Sequence, residues 1–214
     1  MLNYQADNMS EETKSLTELT EKQDALTEFK NKVKGKVIIL FGQAWVGKSL
    51  FALTLSKTFT HSKVFLIDNN YGQDYFKINP KIDIVKIDTP KQLDMSLTKE
   101  PSLEDKLIII DSITTLQTAF IRESYFSPRA YNEFNNFSDR IARKLSELTP
   151  KTTSIIIAHE RIGNWETKET VPRVNWTMLR NADVLVRIYK ENDSRKVKIV
   201  NFRQLPQKMT FVFE

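Results

Sequence analysis

The sequence of 214 residues is long enough for one well-buried domain and too short for two domains of ordinary size. It is 40% hydrophobic and 28% charged and contains 0 Cys, which excludes a disulfide framework or a thiolate metal site and favours an intracellular, cytoplasmic protein. The net charge of +5 mildly favours anionic partners such as nucleotides or nucleic acid, and no apolar run is long enough to span a membrane.

Residues 1–34 are predicted to form an N-terminal amphipathic helical arm. The stretch SEETKSLTELTEKQDALTEFKNKVK has no Gly or Pro, and Leu19, Leu26 and Val33 recur at helical spacing. Such a helix packs on the body of its own domain or, alternatively, docks on a neighbouring subunit. The remaining residues, 35–214, are predicted to form the core domain.

Beyond residue 35, short apolar runs alternate with longer amphipathic stretches. The runs predict strands at 36–41, 63–68, 82–87, 106–111, 153–159, 183–189, 196–202 and 209–214. Helices are predicted between them at 48–59, 89–100, 112–126 and 130–148. Strands of nearly continuous Ile, Val and Leu that alternate with helices are typical of a parallel sheet covered on both faces. The last three strands follow without long helices, so the predicted α/β fold has an antiparallel C-terminal edge.

The first strand leads into the pattern Gly-x-x-x-x-Gly-Lys-Ser, which spans 42–49 and matches the phosphate-binding P-loop. Glycines allow successive backbone N–H groups to point at phosphate oxygens, and the following helix adds its positive end. Lys48 supplies a point charge for the β- and γ-phosphates, and the Ser49 hydroxyl suits Mg²⁺. The predicted nucleotide contacts are Gly42, Gln43, Ala44, Trp45, Val46, Gly47, Lys48, Ser49 and Leu50.

A second motif, KLIIIDSITTL, begins at residue 106 and places Asp111 at the tip of an apolar strand. An Asp in this position of a P-loop protein holds the Mg²⁺ shell, so Ser49 and Asp111 are the predicted metal residues. The alternative is that Asp111 only caps the helix that starts at Ser112. ATP and Mg²⁺ are the cofactors that these motifs predict.

Together the P-loop and KLIIIDSITTL resemble the RecA/RadA superfamily of P-loop ATPases. KVFLIDNNYGQDYF resembles the second core strand of that family, and the segment 181–213 resembles its terminal antiparallel strands. The resemblance covers 36–214 and implies a RecA-like core. Archaeal RadA paralogues, KaiC-like ATPases and phage RecA-like annealing proteins share this compact plan, so a viral origin is compatible with it.

The resemblance assigns roles near the strand 154–158, which in the family lies between the P-loop strand and the Asp111 strand. His159 is a candidate sensor of the terminal phosphate, where relatives more often carry Gln or Asn; the alternative is a buried structural histidine. The catalytic Glu of the family falls at Asn70, and an amide cannot accept a proton from water. Three outcomes follow: hydrolysis is slow, another carboxylate substitutes, or ATP acts mainly as a switch. Asp68 and Glu160 are the nearby substitutes in the sequence, and Glu160, beside His159, is the better placed of the two.

Two further roles follow from the resemblance. RecA-like sites are completed by a basic residue of the adjacent subunit, and Arg203 resembles this finger; alternatively it is an exposed strand residue paired with a carboxylate. Tyr75 lies where the family stacks the adenine base, although an aromatic residue there is equally compatible with the core. The resemblance thus implies a homo-oligomer with nucleotide at the subunit interfaces.

Two segments correspond by their order to the DNA-binding loops of the family, namely IRESYFSPRAYNEF and RIGNWETKETVPRVNWTMLR. In the second, basic residues interleave with aromatic ones, which suits single-stranded DNA because bases stack on rings while cations hold phosphates. The alternative is that the Trp residues anchor the loop to its own domain or to a neighbouring subunit. The candidate DNA contacts are Arg161, Trp165, Lys168, Arg173 and Trp176.

Two functions remain open at this point. The first is an ATPase that acts on single-stranded DNA in recombination, annealing or repair, with weak intrinsic hydrolysis. The second is a KaiC-like regulatory or assembly ATPase whose loop binds protein partners.

Overall fold

The computed structural model describes residues 24–67, 72–166, 168–192, 194–202 and 210–213. The chain divides into two compact units, Met1–Lys32 and Val33–Glu214. In the first unit, residues 24–32 are helical (α1), and Lys32 donates to Glu28 one turn away. Residues 1–23 of the predicted arm lie outside the described residues, so the arm over 1–34 stays a prediction. No described helix is long and apolar enough to cross a membrane.

The second unit alternates strands and helices along the chain. Its elements are β1 (Val37–Gly42), α2 (Lys48–Ser56), β2 (His61–Leu66), α3 (Gly72–Ile78), β3 (Asp83–Lys86), α4 (Pro90–Thr98), β4 (Lys106–Asp111), α5 (Ile113–Glu123), α6 (Pro128–Leu148), β5 (Thr152–Asn164), β6 (Glu169–Pro172), α7 (Trp176–Asn181), β7 (Val184–Glu191), β8 (Ser194–Phe202) and β9 (Thr210–Phe213).

The strands form one sheet in the order β3-β2-β4-β5-β1-β7-β8-β9, and β6 pairs with β5. The pairs from β3 across to β7 are parallel, whereas β8 and β9 are antiparallel to their neighbours. The predicted α/β fold with an antiparallel edge is therefore confirmed. The strand β5 lies between β4 and β1, as the resemblance implied. Carboxyl ends of parallel strands meet at one edge of a sheet. The residues at the ends of β1 and β4, and those of β5 that lie beside them, are therefore close together.

Helices cover the apolar faces of this sheet. Every residue of β1 and β4 is buried, which explains why these strands read as continuous apolar runs rather than alternating ones. The long helix α6 packs one apolar stripe, including Phe134, Ile141 and Leu145, into the same core as Ile108 and Ile156. Its first turn is closed by the Ser127 side chain, which accepts a hydrogen bond from the Ala130 N–H at 3.2 Å.

The segment after β5 differs from the prediction. The sequence predicts a strand that ends at residue 159 and then a long loop, but β5 continues to Asn164 and pairs antiparallel with β6. The short helix α7 follows and is capped by the Asn175 side chain, which accepts from the Met178 N–H at 2.9 Å. The extension was missed because its residues are exposed and carry no apolar alternation. The helix α3 was not predicted either.

The central strand offers a direct test of where stability resides. Ile156 is 0% exposed in the middle of β5, and Ile162 is 42% exposed on the same strand. Ile156→Ala should lower the free energy of unfolding by about 2–5 kcal/mol because it opens a cavity in the core. Ile162→Ala, the matched control, should change it by less than about 0.5 kcal/mol. Denaturant unfolding measures both, and equal effects would contradict the placement of β5.

Candidate functional site

The loop between β1 and α2 takes its shape from its two glycines. A Cβ atom on Gly42 would lie 2.2 Å from the carbonyl oxygen of Ile188 on β7, so only glycine fits this close backbone approach. Gly47 has φ 97°, which lies in the left-handed region that favours glycine. Its carbonyl accepts the Phe51 N–H at 2.9 Å as the first turn of α2 forms. The loop therefore ends directly on a helix N-terminus.

The side chain of Lys48 is buried within this loop. Its Nζ donates to the carbonyl oxygens of Gly42 at 3.1 Å and Gln43 at 2.5 Å. Burial lowers the pKa of Lys48, while the negative charges of Asp111 and Glu160 act in the opposite direction. The ammonium group thus lies at the loop and close enough to interact electrostatically with the carboxylates of Asp111 on β4 and Glu160 on β5.

Asp111 ends β4 and is 8% exposed. The helix α5 is capped by Ser112, whose Oγ accepts from the Thr115 N–H at 3.2 Å, so capping does not occupy the Asp111 carboxylate. The Tyr75 hydroxyl donates to Asp111 Oδ2. Among the described residues no group of three or more His, Cys, Asp or Glu could hold a metal ion. A single carboxylate such as that of Asp111 suits Mg²⁺, which binds through one or two protein groups together with phosphate oxygens and water.

The predicted adenine contact lies in an unexpected setting. Tyr75 is 3% exposed, and its hydroxyl contacts the Asp111 carboxylate. The neighbouring Phe76 is 52% exposed. Stacking of adenine on Tyr75 stays a prediction. In the P-loop, Trp45 is 80% exposed at φ 65°.

The middle of β5 lies beside the P-loop. His159 is in register with Gly42, and its backbone N–H donates to Thr114 Oγ1 at 2.9 Å. Burial lowers the pKa of His159, and the positive charges of Lys48 and Arg173 lower it further. The half-buried imidazole is therefore biased towards its neutral form next to the phosphate loop. Its role as a phosphate sensor stays a prediction.

Glu160 forms an ion pair that was not predicted from the sequence. Its Oε2 accepts from Arg187 Nε at 2.9 Å, and Oε1 faces Arg187 Nη2 at 3.4 Å. Arg187 lies on β7. A charged side chain within an otherwise apolar strand was the feature of the sequence that could have indicated this ion pair. Both oxygens of the candidate base are therefore engaged, and its part in hydrolysis stays a prediction. Asn70 and Arg203 lie outside the described residues.

The two predicted DNA segments come together at a surface that we call the arginine–aromatic groove. It is a cavity of about 400 Å³ between α5, α6, the end of β5 and the segment from β6 to α7. Its lining includes Phe126, Tyr131, Arg161, Arg173, Asn175 and Trp176. A second cavity of about 300 Å³ shares Thr118 and Arg173 with it and is also lined by His159 and Arg122. Trp165 and Lys168 line neither cavity and are exposed near the turn of the β5–β6 hairpin.

The exposure of the tryptophans bears on their predicted alternative role. Trp165 is 79% exposed and Trp176 is 71% exposed. Neither ring is therefore anchored in the described part of its own chain. Tyr125 and Phe126, which come from the first predicted DNA segment, are 94% and 63% exposed.

The fold is similar to a solved recombinase. The crystal structure of the RadB recombinase matches with a TM-score of 0.64 and 15% sequence identity over 85% of this chain and 87% of that chain. At this identity the likeness concerns the fold, and it confirms a RecA-like α/β core. No protein-family model matches the sequence, and no curated protein matches it either.

The setting of His159 predicts a measurable titration. Its imidazole should titrate below the usual pKa of 6.5, because burial and two nearby cations oppose its protonation. NMR titration measures this, and His159→Gln assigns the resonance because the sequence has 2 His. Arg173→Gln should move the pKa back upward by removing one cation.

The same shift predicts how stability depends on pH. The unfolded chain binds a proton at His159 near pH 6.5 and the folded chain only at lower pH, so the wild type loses stability as the pH falls below about 6.5. His159→Gln should lose less over that interval. An imidazole that titrates at or above its usual pKa would contradict the described surroundings of His159.

Proposed function

We propose that the protein is an ATP-binding RecA/RadA-like ATPase that acts on single-stranded DNA in recombination, annealing or repair. One observation carries the proposal: Lys48, Asp111 and His159 lie at a single edge of the sheet, and the cavity beside His159 shares Thr118 and Arg173 with the arginine–aromatic groove. The candidate phosphate loop and the candidate surface for nucleic acid therefore both adjoin His159.

The nucleotide half of the proposal rests on the loop and its counter-charges. Lys48 supplies the buried cation and the N-terminus of α2 supplies backbone N–H groups. Ser49 on α2 and Asp111 at the end of β4 would hold Mg²⁺. When bound, the metal would supply positive charge to the phosphate oxygens. His159 would report the terminal phosphate through a hydrogen bond. Weak hydrolysis is proposed because Asn70 replaces a carboxylate and Glu160 is engaged by Arg187.

The nucleic-acid half rests on the chemistry of the groove. Exposed rings of Phe126 and Trp176 offer stacking faces, and the guanidinium groups of Arg161 and Arg173 suit phosphates. In sequence, nearby glutamates dilute this charge, but no described Asp or Glu lines either cavity. Glu160 instead faces Arg187. The groove is therefore more electropositive than the segment that forms it.

Two further considerations agree with this function. The solved structure of similar fold is that of the RadB recombinase, and a recombinase is compatible with action on DNA. Homo-oligomerisation with nucleotide at the subunit interfaces, and completion of the site by Arg203 of a neighbour, are proposed on the resemblance of the sequence alone.

The nucleotide site is tested by Lys48→Ala. Loss of the buried ammonium should weaken binding of a fluorescent ATP analogue at least about 10-fold, because charged hydrogen bonds to phosphate are lost. Lys57→Ala, which removes an exposed lysine just after α2, is the control and should bind as the wild type does. Fluorescence titration measures both. Unchanged binding by Lys48→Ala would remove the nucleotide-site assignment.

The DNA surface is tested by Trp176→Ala. This change should weaken binding of a single-stranded oligonucleotide by about 1–3 kcal/mol, the usual contribution of one stacked base. Met95→Ala is the control, because Met95 is 52% exposed on α4 and lines neither cavity. Fluorescence anisotropy at two salt concentrations measures the affinity, which should fall as salt rises.

The same experiment separates the two functions. A wild type that ignores oligonucleotides at low salt, with an ATPase rate that DNA does not change, would overturn the proposed action on DNA. That outcome would favour the regulatory or assembly ATPase whose groove binds a protein partner.

A further inference from the structure

Arg195, near the start of β8, lies against the last glycine of the P-loop. A Cβ atom built on Gly47 would stand 3.0 Å from Arg195 Cδ and 3.1 Å from its Nε. The arginine stem therefore crosses the loop at the point where α2 begins. Gly47 is needed here for two reasons, since it adopts a left-handed backbone and also leaves room for this side chain.

The guanidinium group at this place is incompletely satisfied. Arg195 Nε is buried and has no hydrogen-bond partner in the part of the chain that the structure describes. Among the described residues of the β7–β8 hairpin, the acidic side chain of Glu191 pairs with Lys196. Glu160 is engaged by Arg187. A buried donor without an acceptor is costly, so its retention beside a phosphate loop requires an explanation.

We propose that Arg195 is a second cation of the nucleotide site and donates hydrogen bonds to the bound polyphosphate from the same chain. The inference rests on the proposed nucleotide function. A guanidinium group has five donors in a planar fork that matches phosphate oxygens, so one phosphate group can satisfy donors that the protein leaves open. Arg195 is distinct from Arg203, which is predicted to reach the site of a neighbouring subunit.

The ligand class follows from the surroundings of Arg195. The end of the P-loop and the start of α2 present backbone N–H groups, and Lys48 adds a cation in the same loop. Donors and positive charge of this density favour an anion and disfavour a neutral ring or a second cation. The negative charges of Asp111 and Glu160 partly offset the positive charge of Lys48. A ligand with several negative charges is therefore bound more tightly if Arg195 contacts it as well.

Arg195→Gln tests the proposal, with Lys198→Gln as the matched control. Lys198 lies on β8 three residues further on and therefore on the opposite face of the strand. Arg195→Gln should weaken the binding of ATP and of ADP about 10- to 100-fold, as expected for the loss of charge-assisted hydrogen bonds. It should leave the binding of adenosine unchanged. Lys198→Gln should bind all three as the wild type does. Competition against a fluorescent ATP analogue measures the affinities.

A second variant and a stability measurement keep the result interpretable. Arg195→Lys retains the charge without the planar fork and should bind ATP between the wild type and Arg195→Gln. Thermal unfolding without nucleotide confirms that each variant is folded. Arg195→Gln that binds ATP as tightly as the wild type, or that weakens adenosine equally, would overturn the inference while the nucleotide site stands. A wild type that fails to bind ATP would overturn both.

Discussion

The candidate site depends on the hydrogen bonds and opposite charges that stabilise the buried ammonium group of Lys48. A charged amine is stable in such a place only if hydrogen-bond acceptors and opposite charges surround it. Two loop carbonyls supply the first, and Asp111 and Glu160 supply the second. Those carboxylates lie on two different strands, β4 and β5, so the arrangement of Lys48 holds only while β1, β4 and β5 are neighbours.

The position of β5 between β4 and β1 has a second consequence. This strand touches the P-loop through His159 and continues beyond the sheet as the β5–β6 hairpin. The Arg173 N–H donates to the His159 carbonyl at 2.7 Å, so the wall of the arginine–aromatic groove is hydrogen-bonded to β5 next to the nucleotide loop. A displacement of the His159 backbone would therefore move Arg173 as well. This hydrogen bond is a physical link between the proposed nucleotide site and the proposed DNA surface.

Much of the candidate site is local in sequence and was predictable for that reason. The strand, glycine loop and helix of residues 37–56 are contiguous, and each residue type has a local backbone or charge requirement. Asp111 was recognisable because a buried strand ends on a carboxylate. The β5–β6 hairpin was not predictable, because its pairing joins exposed residues without an apolar pattern. The hydroxyl of Tyr75 on Asp111 was missed since it joins elements 36 residues apart.

The sequence by itself determined the α/β class, the glycine loop between β1 and α2 and the carboxylate at the end of β4, because these follow from the hydrophobic period and from the conformations that glycine allows. Only the tertiary structure decided which charges face one another. Arg187 neutralises Glu160 across 27 residues, and Arg195 reaches Gly47 from a strand near the other end of the chain. Such contacts depend on the order of the strands in the sheet, which spacing along the chain does not indicate. The partial burial of the Arg187–Glu160 pair then strengthens the electrostatic attraction between its two side chains.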